Sequence, residues 1–67
     1  MAKKSAFQTR VDNAMEKASA GLQIPLSKLV AMGKLCGQAL GADPSMNNEA
    51  LVAKCRAIMI QQGATEV

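Results

Sequence analysis

Cys36 and Cys55 are the only thiols in this 67-residue chain, and no histidine, tyrosine or tryptophan accompanies them. A reactive cysteine needs an exposed, electropositive setting and a base close by. The nearest cations in sequence, Lys34, Lys54 and Arg56, fall on other helical faces, and histidine, the usual general base and commonest metal ligand, is missing. Two cysteines complete neither a four-ligand zinc site nor a disulfide framework. Both thiols therefore read as reduced, buried, small apolar residues. Asp12 and Glu16, four apart, share a helical face, but on a polar stripe that water reaches, which is not where a carboxylate becomes a catalyst. Gly33 and Gly37 lie within a helical pattern rather than in a loop ahead of one, so they make no phosphate-binding loop. The chain is expected not to be an enzyme, and no catalytic residue, metal or cofactor is assigned.

Two other constellations point to binding. Lys3, Arg10 and Lys17 recur at intervals of seven, with Asn13 between the last two, and would line one stripe of a helix as a phosphate-contacting edge. Lys4, Lys28 and Lys34 extend the same basic bias: six of the eight basic residues, but only two of the five acidic ones, fall in the first forty positions. Asp12 and Glu16 sit beside the stripe, however, and no aromatic residue interleaves with it for stacking on single strands. A solvated face is the simpler reading. The second constellation is apolar. Gly33, Gly37 and Gly41 recur at intervals of four, and each interior glycine costs a helix about 1 kcal/mol against alanine. Such a cost suggests the close approach of another helix backbone, within the chain or from a second chain, with Leu35 at the edge of the contact. Further along, Ala50, Ala53, Ala57 and Ile60 form a second apolar side on a helix that already has one.

Three helices must position these residues. Phe7, Val11, Ala14, Met15, Ala18 and Leu22 recur at threes and fours, which predicts a first helix over about 5–20 with Ser5 as its N-cap and Gly21 ending it in a left-handed conformation. Pro25 forces Ile24 out of helical geometry and is suited to the first position of a second helix over about 25–40. That helix has an apolar arc of Leu26, Leu29, Val30, Met32, Gly33, Cys36, Gly37, Ala39 and Leu40. A polar link from Gly41 to Asn48 follows, and Asn47 or Asn48 caps a third helix over about 48–62 that stops at Gly63. Leu51, Val52, Cys55, Ile58 and Met59 make its larger apolar side. Residues 63–67 read as a frayed tail, although Thr65-Glu66-Val67 also fits a peptide captured by its carboxylate in an added-strand groove. The helix-turn-helix arrangement needs a turn of three or four residues, which the Gly41–Asn48 link exceeds; the turn from Gly21 to Ile24 has the right length, but the helix after it spreads Ser27, Lys28, Lys34 and Gln38 over more than one side and would have to bury most of its surface. The stretch Leu40-Gly41-Ala42-Asp43-Pro44-Ser45-Met46 with Glu49-Ala50-Leu51-Val52 resembles the attachment segment of acyl carrier proteins. In that family the serine directly follows the aspartate at the start of an acidic helix. Here Pro44 intervenes and Lys54 and Arg56 follow, so no attachment role is assigned to Ser45.

Together these readings predict a single small all-α domain over residues 1–67: three short helices around one small aliphatic core, completed by dimerisation. So short a chain, with 49% apolar residues but a single aromatic, buries little surface alone and is helped by a partner subunit. The expected function is a helical protein-binding module, acting as a regulator, inhibitor or assembly factor, whose interface is Gly33, Leu35, Gly37, Ala50, Ala53, Ala57 and Ile60. The alternative is a nucleic-acid-binding accessory protein that uses Lys3, Lys4, Arg10, Lys17, Lys28 and Lys34. The longest apolar-rich stretch, Leu26 to Leu40, is interrupted by lysines and glycines, and the basic N-terminus leads into no apolar stretch of signal-peptide length. A cytoplasmic protein that makes no membrane contact is expected.

Overall fold

The computed structural model describes residues 5–67. Lys3 and Lys4, the first two cations of the basic stripe, lie outside the described residues. The chain runs through helix α1 (Ala6–Ala18), a two-residue strand β1 (Leu22–Gln23), a 3-10 turn (Leu26–Lys28), helix α2 (Leu29–Ala42), helix α3 (Asn48–Gln61) and a second two-residue strand β2 (Thr65–Glu66). The three helices all pack against one another, so the all-α class and the three-helix arrangement hold.

Local chemistry sets the helix ends. The Ser5 hydroxyl accepts the Gln8 amide at 3.1 Å, and the Asn47 side chain accepts the Ala50 amide at 2.7 Å. Each satisfies an amide that has no partner within its helix. Glu49 in the first turn of α3 and Lys17 in the last turn of α1 complement the dipoles of their helices. The second helix begins later than its sequence predicts. Pro25 is extended (φ −68°, ψ 120°) and precedes a 3-10 turn, and regular α-geometry starts only at Leu29. Tightened first turns of this kind are common at helix starts.

The expected frayed tail over 63–67 is corrected. Gly63 takes φ +108°, the Gly63 amide donates to the Ile60 carbonyl at 3.1 Å, and the Ala64 amide donates to Met59 at 2.9 Å. This pair of bonds is a Schellman ending, which turns the chain back and drops Ala64 against Met59 in the core. The chain then lies antiparallel to β1, with Leu22 opposite Glu66 and Gln23 opposite Thr65, and the Val67 amide reaches the Gly21 carbonyl at 3.1 Å. The tail is thus already paired with this chain's own strand. A two-residue pairing is too short to leave an alternation in the sequence.

The core is a set of four-residue steps. Ala14 and Ala18 with Val11 come from α1, Met32, Cys36 and Leu40 from α2, and Leu51, Cys55 and Met59 from α3, closed by Ala64. Met15, Leu22, Ile24, Met46, Val52 and Ile58 pack around it. Phe7, expected on the core face, is 42% exposed because it lies one turn beyond Val11 at the helix start.

Candidate functional site

The two thiols meet in the core. Cys36 and Cys55 are both free and fully buried. Burial pushes the Cys36 thiol up from 9.0 to about 12, and the hydrogen bond and charge of Cys55 beside it add to the shift. Among the described residues, no group of three or more histidine, cysteine, aspartate or glutamate side chains could hold a metal ion. Ser45 donates to the Asp43 carboxylate at 2.7 Å within the link between α2 and α3.

The basic stripe is not a continuous set of available cations. Arg10 is half-buried, and its guanidinium donates to the Asn48 side chain at 3.1 Å, to the Pro44 carbonyl at 3.2 Å and to the Met46 carbonyl. It clasps the α2–α3 link to α1. Arg56 acts in the same way at the other end, donating to the Ala18 carbonyl at 3.2 Å and the Ala20 carbonyl at 2.9 Å, where the C-terminus of α1 presents unpaired acceptors. Lys17, Lys28 and Lys34 are exposed. Lys17 borders two shallow hollows of about 290 Å³ and 430 Å³, and it shares their walls with Glu49 in one and Glu16 in the other. Neighbouring carboxylates offset its charge for an approaching phosphate.

The glycine series faces α1 of the same chain. A methyl group placed on Gly33 would meet the Met15 sulfur at 3.7 Å, and one on Gly37 or Gly41 would meet the Phe7 ring at 4.0 Å. These are ordinary contacts with side chains. The expected close approach of another helix backbone over Gly33 and Gly37 is therefore replaced, among the described residues, by Phe7 and Met15 lying across a shallow groove. Leu35 is half-buried.

The alanine side of α3 is the exposed feature. Ala50, Ala53, Ala57 and Ile60 all face out, Ile60 with 47% of its surface exposed, while Leu51, Cys55 and Met59 on the opposite side are buried. A second apolar group went unrecognised as a surface in the sequence. Leu26 and Val30 are 82% and 74% exposed, and Leu29 is exposed beside them. All three belong to the apolar arc that the sequence predicts for the second helix. The available signal was the width of that arc, which places Leu26 and Val30 at one edge, away from Met32 and Cys36 at the other. Arg10 carried no comparable signal, because two of its acceptors are backbone carbonyls more than thirty residues away.

No protein-family model matches the chain, and no curated protein or solved structure matches it either. The described residues define a small three-helix protein with two outward apolar surfaces. None of its described helices is long and apolar enough to cross a membrane.

Proposed function

We propose that this chain is a helical protein-binding module that docks on a protein partner through the outer face of α3, and that it associates with itself through the same kind of contact. The observation that carries the reading is the ridge of Ala50, Ala53, Ala57 and Ile60, four exposed apolar positions along one helix directly opposite its buried side. A helix that is wet on one side normally makes that side polar. Contiguous apolar surface on a small protein usually marks a contact, and small side chains let a partner helix come close. Leu26 in the 3-10 turn and Val30 on α2 add exposed apolar surface, with half-buried Leu35 further along the helix. Such a module suits a regulator, an inhibitor or an assembly factor. The compartment that fits it is the cytoplasm, where small thiols keep a cysteine pair largely reduced.

The test is sedimentation equilibrium together with affinity capture, comparing the unaltered chain with Ala57→Glu and Ile60→Glu. Both positions are exposed, so the fold should survive, as a circular dichroism melt would check. Loss of self-association and of captured protein is the expected result. Unchanged association and capture in both variants would remove the α3 ridge from consideration. The nucleic-acid reading has no supporting observation of its own, since Arg10 is engaged within the chain. A gel shift at low salt that responds to Lys28→Glu and Lys34→Glu would restore it.

A further inference from the structure

We propose that Cys36 and Cys55 form a reversible disulfide that ties α2 to α3 across the middle of the core, with a low-molecular-weight disulfide as the oxidant. The inference stands apart from the docking reading and rests on how the two helices are matched. Met32, Cys36 and Leu40 on α2 and Leu51, Cys55 and Met59 on α3 are two buried triplets at the same four-residue spacing, each with its cysteine in the centre. The chain reverses between the helices over residues 43–47. Cys36 lies seven residues before Asp43 and Cys55 eight after Asn47. The two centres are therefore level to within about one helical rise of 1.5 Å. Both thiols are fully buried in the same core cluster, near enough for Cys55 to act on the Cys36 thiol. This is a facing pair, and it closes a loop that contains the whole α2–α3 link.

The chemistry balances as a thiol–disulfide exchange. One cysteine thiolate attacks a sulfur of the small disulfide, whose S–S bond breaks and releases one small thiolate. The second cysteine then attacks the mixed disulfide, forms the protein S–S bond and releases the other small thiolate. The two cysteine sulfurs lose two electrons, the small disulfide gains them, and the two thiol protons pass to the released thiolates. Core burial shapes the kinetics. Cys36 holds its proton in the closed core, so the first attack waits for α3 to lift. A bulky mixed disulfide cannot return to a site with no exposed surface, whereas a direct S–S bond takes less room than two thiols in contact. Of the oxidised products, only the intramolecular disulfide is compatible with the folded core.

The experiment incubates the full chain with glutathione disulfide at neutral pH and follows intact mass and non-reducing electrophoresis. The expected product is a monomer two hydrogens lighter, restored by dithiothreitol, with a melting temperature raised on the order of 10 °C by closing a loop of this length. Redox titration in glutathione buffers should favour the disulfide at least about tenfold more in native buffer than in denaturing urea. Cys36→Ala and Cys55→Ala should each show no loss of two hydrogens and no stable glutathione adduct in native buffer, whereas each should take up one glutathione in denaturing urea. If either variant fails to fold, the native-versus-urea comparison on the unaltered chain decides. Adducts without the two-hydrogen loss, disulfide-linked dimers, or a closed product that melts below the dithiol would each overturn the proposal.

Discussion

Four side chains show what single residues contribute. The folded state holds the Cys36 proton up to about pH 12, whereas an unfolded thiol releases it near 9.0. Below pH 9 both states are protonated and stability does not depend on this group. Above pH 9 the unfolded chain loses the proton and the folded chain keeps it, so stability falls until about pH 12, at most by about 1.4 kcal/mol per pH unit. Urea unfolding at pH 8, 9 and 10 should show this fall, and Cys36→Ala should reduce it. The arginines divide differently. Arg10→Ala should destabilise the protein by about 1–3 kcal/mol, because two carbonyls and the Asn48 side chain lose a charged donor. Arg56→Ala should cost about 1–2 kcal/mol through the Ala18 and Ala20 carbonyls. Glu66→Ala should change stability by less than about 0.5 kcal/mol, because its 3.4 Å ion pair with Arg56 is largely exposed. Chemical denaturation of the three variants side by side measures the difference.

At the scale of the elements, the glycines separate propensity from backbone geometry. Gly37 is helical, and an added methyl group would sit 4.0 Å from the Phe7 ring. Gly37→Ala should therefore stabilise the monomer by up to about 1 kcal/mol. If a second chain needs that groove, the same substitution weakens association while raising the monomer's melting temperature, which distinguishes the two roles of the position. Gly63 is the opposite case. Its φ of +108° serves the Schellman ending, and although only the Pro25 ring lies near, Gly63→Ala should cost about 1 kcal/mol or more from backbone strain. Thermal melts of the two variants should move in opposite directions. The helices themselves were legible in the sequence because caps and apolar spacing are local: Ser5, Asn47 and Gly63 act where their types suggest, while α1 ends at Ala18 and Gly21 (φ +75°) instead turns the chain into β1. The start of α2 and the β1–β2 pairing were not, since a 3-10 turn and a two-residue strand leave no periodic trace.

For the molecule as a whole, the decisive quantity is the apolar surface left outside after the core is filled. Among the described residues, ten small or medium side chains fill the interior. Ile60, Leu26, Leu29 and Val30 remain out with the alanine ridge, so the docking proposal concerns surfaces that the fold itself does not use. The candidate site was partly readable for the same reason. Ala50, Ala53, Ala57 and Ile60 stand out as a second apolar side of one helix, and periodicity alone reveals that. Whether Gly33 and Gly37 face another chain or their own depends on where α1 crosses α2, and here Phe7 and Met15 occupy the place.

The sequence by itself determined the class, the three helices, most of their ends and which stripe of each helix is apolar, because those follow from contacts within a few residues. Only the tertiary structure decided which apolar stripe is covered, that Arg10 and Arg56 act as clasps, that the tail pairs with β1, and that the two thiols face each other. Each of these depends on residues far apart in the chain meeting in space, and no spacing along a single helix encodes how that helix is rotated and crossed against its neighbours.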